Sequence, residues 1–188
     1  MRTLTSLALA VFLVAAGAGA ASAHGRVGLG LRATSMDVAG SAGAAATTLD
    51  GVGVFLRLNL TSRIGLEVAA DQLSTVGADG ATRGSTPLSA SVLAYLSRGS
   101  IVDLYILGGL GTTADKVSLT MPDHSTVSQT YDQSELHAGL GAEISLGSLT
   151  LGGEIRAVGL KLREPTTSAL LPAESKAVVL NVGLAYFF

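Results

Sequence analysis

The chain has 188 residues, no cysteine, 24 glycines and only 14% charged residues, with 12 Lys plus Arg against 14 Asp plus Glu. Without cysteine there is no disulfide framework, and the slightly acidic balance gives no support for a nucleic-acid partner. Beyond residue 23 no run approaches the roughly 18 uncharged apolar residues of a membrane helix, so stability must come from a packed core or from strands in a bilayer.

Residues 1–23 read as a secretory signal peptide. Arg2 supplies the positive start, Leu4 to Ala16 the apolar stretch, and Ala21-Ser22-Ala23 the small-residue cleavage site. Cleavage there leaves one exported domain, residues 24–188, beginning at His24. Loss of Arg2 leaves eleven basic residues against fourteen acidic, a net charge of −3. No cysteine follows the apolar stretch, which excludes a lipid-modified amino terminus.

Period-2 alternation then marks eight strands in chain order. They are predicted near Arg26–Ala33, Val52–Leu60, Ile64–Leu73, Leu88–Leu96, Ile101–Gly111, Glu135–Leu146, Leu149–Lys161 and Val178–Phe188. The second is the cleanest, with Val52, Val54, Leu56, Leu58 and Leu60 opposing Gly53, Phe55, Arg57 and Asn59. The fifth is apolar on both faces, so its orientation stays open. The seventh loses phase after Ala157, which predicts a bulge near Val158-Gly159. The eighth sets Val178, Leu180, Val182, Leu184, Tyr186 and Phe188 against Asn181, Gly183, Ala185 and Phe187, with its aromatics expected at a lipid–water boundary.

The connections carry as much information as the strands. Thr61-Ser62-Arg63, Ser97-Arg98-Gly99-Ser100 and Gly147-Ser148 are short, while Thr34–Gly51, Ser74–Pro87, Thr112–Gln133 and Leu162–Lys176 are long. Long and short alternate throughout, as in up-and-down membrane barrels with long outer loops and short periplasmic turns. The long connections are rich in Ser, Thr, Ala, Gly and Asp and are expected to be irregular rather than helical.

The two strand faces agree with that arrangement. Across the second, third, fourth and sixth strands one face is free of charge, and a charge at the bilayer midplane costs about 2–4 kcal/mol. Charges gather on the other face: Arg32, Arg57, Glu67, Glu135, Glu143, Glu154 and Arg156, with His137 and Asn181 nearby. A soluble barrel needs the reverse, an apolar interior and a polar exterior. Inside an eight-stranded barrel, side chains fill the available width, so these groups are expected to pair with one another as an interior polar network. Inward glycines are expected to leave room for the Arg and Glu side chains.

Leu104-Tyr105-Ile106-Leu107-Gly108-Gly109-Leu110-Gly111 and His137-Ala138-Gly139-Leu140-Gly141-Ala142-Glu143 resemble strands of small outer-membrane β-barrels of the OmpA-like, OmpW-like and opacity-protein group. Leu151-Gly152-Gly153-Glu154-Ile155-Arg156 adds to the resemblance. Gly183, Tyr186 and Phe188 resemble the carboxy-terminal signal read by the barrel-assembly machinery. The resemblance implies an all-β, eight-stranded antiparallel up-and-down transmembrane barrel in the cell outer membrane. It implies as partners outer-membrane lipid and lipopolysaccharide, the assembly machinery with its periplasmic chaperones, and a small solute or surface ligand. The chain departs from such barrels in having no Trp and only seven Tyr or Phe after residue 23, a thin aromatic girdle.

Barrels of this group imply structural, adhesive or narrow pore roles. A lipid A-modifying barrel enzyme is the other class, and it needs a His–Ser–acid constellation. His137 has Glu135 and Glu143 close in sequence, but Ala138 and Gly139 follow it. Asp123-His124-Ser125 holds all three residue types at adjacent positions, which rarely converge on one site. No metal-ligand spacing, P-loop or dinucleotide fingerprint is present, so no cofactor is expected. The expected function is structural, adhesive or surface-interacting without catalysis, with a narrow solute channel as the alternative.

Overall fold

The computed structural model describes residues 27–39, 46–77, 81–99, 101–120, 126–162 and 174–188, without the side chains of residues 119 and 120. The expected signal peptide and the Asp123-His124-Ser125 triplet lie outside them. Eight strands form: β1 Val27–Val38, β2 Thr47–Asn59, β3 Ile64–Val76, β4 Thr82–Ser97, β5 Val102–Thr120, β6 Thr126–Leu146, β7 Leu149–Leu162 and β8 Glu174–Phe187. Each pairs antiparallel with its neighbours in sequence, and β1 pairs with β8, closing an up-and-down barrel.

The ladder shows how the barrel closes. Followed from Gly28 through Arg57, Glu67, Ser91, Gly109, His137, Val158 and Ala177, it returns to β1 at Val38, ten residues above its start. With eight strands that stagger tilts each strand by roughly 43° from the axis. The outward row of β8 from Val178 to Phe188 then spans roughly 24 Å, which matches the apolar band of a transmembrane barrel. Residues on this exterior are apolar and open, with Leu31 at 67% exposure and Leu136 at 70%.

The strands run well beyond their predicted ends. Much of what the sequence reads as long loop is strand: Thr34–Val38, Thr47–Gly51, Ser74–Val76, Thr82–Pro87, Thr112–Thr120, Thr126–Gln133 and Glu174–Lys176 all belong to the sheet. In these extensions the inward residues mix apolar Met36 and Leu49 with polar Ser85, Thr113 and Gln133 while the outward residues turn polar, so hydropathy stops alternating although burial does not. The Thr, Ser and Val residues there keep their preference for extended backbone. The bulge expected at Val158-Gly159 is absent, because β7 stays in register with both neighbours. Its phase blurs in the sequence because Val158 and Leu160 continue the inward row as apolar residues. A register shift occurs instead between Tyr95 and Ser97, on β4.

β5 takes the orientation its sequence leaves open. Val102, Leu104, Ile106 and Leu110 face out, whereas Asp103, Tyr105 and Leu107 are buried inside. The lumen is layered. Phe55, Tyr95, Tyr105 and Phe187 are interleaved with the ionic residues in the half of the lumen toward the short turns; Met36, Leu49, Leu73, Val158, Leu160, Ala177 and Val179 form an apolar cluster above them. Five of the seven described aromatic residues, Phe55, Tyr95, Tyr105, Tyr131 and Phe187, are thus buried. Only Tyr186 and Phe188 of the described aromatics lie on the exterior, where a lipid–water boundary would meet them; Phe187 of the same strand turns inward. A narrow lumen has volume that rings can fill.

Candidate functional site

Arg32, Arg57, Glu67, Glu143, Glu154, Arg156 and Asn181 converge in one buried network. Arg32 on β1 lies between Gly53 and Gly183, its ladder partners, so no side chain crowds it from either adjacent strand. Its Nε donates to Asp71 Oδ1 at 2.8 Å, another of its nitrogens pairs with Asp71 Oδ2, and Nη1 donates to Glu67 Oε1 at 3.3 Å. Thr34 Oγ1 also donates to Asp71 Oδ1, at 2.9 Å.

Arg57 and Glu67 are direct cross-strand partners. Arg57 Nε and Nη2 donate to Glu67 Oε2 at 3.0 and 2.6 Å, and its Nη1 pairs with Glu143. The guanidinium carbon sits 5.4 Å from the Phe55 ring centre and 5.3 Å from that of Tyr105, so these rings also hold the cation. Arg156 Nη2 reaches across the lumen to Glu67 Oε1 at 2.8 Å and pairs with Glu154. Asn181 Nδ2 and the Tyr105 hydroxyl donate to the two oxygens of Glu154 at 2.8 and 3.1 Å.

Glu67 is therefore the hub, bound by guanidinium groups from β1, β2 and β7. Three Arg face four carboxylates here: Glu67, Asp71, Glu143 and Glu154. Burying such charges costs free energy unless every one is paired, which explains the density of contacts. The cavity that remains among them is about 30 Å³, the scale of a single water.

Glu135 and His137 stand apart as a second group higher on β6. Ser91 Oγ and His137 Nε2 are 2.8 Å apart, His137 Nδ1 and Glu135 Oε1 are also 2.8 Å apart, and Thr113 Oγ1 donates to Glu135 Oε2 at 3.3 Å. These spacings are those of a Ser–His–acid chain. Two features argue against nucleophilic chemistry. The Nδ1 contact lacks hydrogen-bond geometry, and Ser91 is only 4% exposed, so no acyl carbonyl reaches it. Gly109 makes room for the imidazole, since a Cβ there would lie 2.6 Å from His137 Nε2 and 2.1 Å from the Ala90 carbonyl.

Several inward glycines serve rings rather than the expected Arg and Glu side chains. A Cβ at Gly141 would fall 2.3 Å from the Tyr105 ring, and one at Gly30 the same distance from that of Phe55. Gly53, whose Cβ would meet Asp71 Oδ1 at 2.0 Å, does make room for an acid. Of the three terminal residues, Gly183 faces the lumen beside Phe55 and Arg32. Tyr186 and Phe188 sit on the exterior with their rings edge to face, 5.0 Å apart.

Sequence patterning did not single out Asp71, Ser91, Tyr95, Asp103 or Tyr105. Asp71 lies in phase with Glu67 on β3, and Ser91 in phase with the inward row of β4, so both were within its reach. Tyr105 and Asp103 were hidden by the apolar look of β5.

An inside-out closed barrel with an ionic lumen defines a transmembrane β-barrel protein. The sequence model of the outer membrane protein β-barrel domain family matches residues 6–188, and the chain belongs to that family. No curated protein is significantly similar in sequence. Among solved structures, the chain is similar to Neisserial surface protein A, at 13% identity and a TM-score of 0.65, covering 86% of this chain and 97% of that one. The attachment invasion locus protein Ail of Yersinia pestis gives 14% identity and a TM-score of 0.60, covering 87% and 98%. The outer membrane protein OprG of Pseudomonas aeruginosa gives 18% identity and a TM-score of 0.50, covering 87% and 96%.

Proposed function

We propose that this protein is a sealed outer-membrane barrel with a structural or surface-interaction role and no catalysis. The observation that carries this reading is the filled lumen. Paired charges fill the ionic layer, and the Met36–Val179 apolar cluster lies above it on the β1–β3 and β7–β8 side, which supports a lumen without a continuous path for water and small solutes. The narrow-channel alternative needs that plug to leave. A surface role fits the strands that extend past the apolar band, above all the β5–β6 hairpin, whose residues 126–130 are exposed on both faces. It also fits the description of Ail as an attachment invasion locus protein.

In this reading the exterior band contacts outer-membrane lipid and the rim contacts lipopolysaccharide. Gly183, Tyr186 and Phe188 serve the barrel-assembly machinery, which receives the chain from periplasmic chaperones after signal-peptide removal. Purified protein in planar bilayers is expected to show no stepwise current. Discrete, reproducible openings would replace this reading with the channel.

A further inference from the structure

The lumen holds more acid than base. Glu67, Asp71, Asp103, Glu135, Glu143 and Glu154 are buried there against Arg32, Arg57 and Arg156. The carboxylates of the central network share the three guanidiniums, and Glu135 has His137 and Thr113. Asp103 has nothing comparable. Its side chain is 3% exposed, its Oδ1 has no hydrogen-bond partner, and no basic group pairs with it among the described residues. Asp103 is also the direct ladder partner of Glu143. Directly opposed side chains lie about 5 Å apart at Cβ, and like charges so placed repel, more strongly in a low-dielectric lumen than in water.

A third oxygen is present. The Tyr95 hydroxyl is buried beside the Glu143 carboxylate but meets no partner in hydrogen-bond geometry. Arg98, on the adjoining turn, does not supply the missing charge. Its guanidinium carbon stacks 4.2 Å from the Tyr95 ring centre and its Nη1 donates to the Thr61 carbonyl.

We propose that Asp103 and Glu143, with the Tyr95 hydroxyl, form a divalent-cation site at the periplasmic mouth of the lumen. The chemistry is that of a hard ion taking oxygen ligands. Ca²⁺ fits better than Mg²⁺, because it accepts irregular geometry and a mixed set of oxygen ligands. Glu143 keeps one oxygen for Arg57 and offers the other to the ion. The ion offsets the repulsion between the paired carboxylates and holds β4, β5 and β6 together at their turn ends. This site is independent of whether the lumen conducts.

The chain has no Trp, so tyrosine-sensitised Tb³⁺ emission reports on ions near tyrosine, and Tyr95 and Tyr105 lie 5.6 Å apart at this mouth. Refolded wild-type protein is expected to give saturable emission that Ca²⁺ displaces. Asp103→Asn should weaken that binding by roughly tenfold or more, because it removes one anionic ligand. Asp132→Asn, at the outer rim, should leave it unchanged. Chelation should lower the thermal unfolding midpoint of wild type and leave that of Asp103→Asn in place. Equal Tb³⁺ binding by wild type and Asp103→Asn overturns the site. If Asp103→Asn does not fold, a wild-type midpoint indifferent to Ca²⁺ and chelator overturns it equally.

Discussion

Replacing Arg57 with methionine is expected to destabilise the barrel by about 3–5 kcal/mol, the cost of leaving a buried charge without its partner. Arg57 is the only guanidinium that reaches Glu143 among the described residues. Its loss strands Glu143 beside Asp103 and removes the cation from between the Phe55 and Tyr105 rings. Replacing Glu67 with glutamine removes the hub but should cost less. Arg32 keeps Asp71, Arg57 keeps Glu143 and Arg156 keeps Glu154, so three pairs survive. Adding Glu143→Gln to Arg57→Met should recover much of the loss, because the stranded charge disappears with its partner. Urea titrations in lipid vesicles, followed by the mobility of the folded band on gels, rank these variants. A Glu67→Gln loss larger than that of Arg57→Met contradicts the pairing described here.

The second large effect belongs to the exterior. Leu140 lies midway along the outward row of β6, between Leu136 and Ile144, and is 61% exposed on the apolar band. Leu140→Arg should cost about 2–4 kcal/mol, the depth-dependent penalty for a cation at the midplane. Thr130 lies on the same face of the same strand but above the band, and Thr130→Arg should change stability by about 0–1 kcal/mol. The same vesicle titration measures both. Equal costs would show that β6 does not cross the bilayer where its apolar row lies.

How far the sequence reaches differs between the two faces. The exterior is legible because lipid imposes one rule, apolar at every second residue, so Val52–Leu60 and Val178–Phe188 stand out without any knowledge of partners. The alternating connection lengths add topology to that rule. The interior obeys pairing instead of a composition rule. Charges in phase on separate strands can be assigned to one lumen, as Arg57 and Glu67 were. Which carboxylate each guanidinium reaches depends on stagger around the barrel, and that follows only from the closed ladder. The stagger brings Arg156 of β7 to Glu67 of β3 across the lumen. It also leaves Ser91 beside His137, two strands away and forty-six residues earlier. The aromatic residues misled for a related reason. Alternation places Phe55 and Phe187 inward, yet a search for a girdle looks for rings on the outside. Above the bilayer the apolar rule lapses, and strand then looks like loop.

Single-cysteine accessibility tests the apolar exterior and the proposed sealed lumen at once. The chain contains no cysteine, so an introduced thiol is unique. In folded protein reconstituted into vesicles, Leu140→Cys should react with a lipid-soluble maleimide and resist a charged, water-soluble methanethiosulfonate. Ser91→Cys, deep in the lumen, should resist the water-soluble reagent from either side until the barrel is unfolded. Rapid labelling of the folded Ser91→Cys protein by the water-soluble reagent would contradict the sealed lumen.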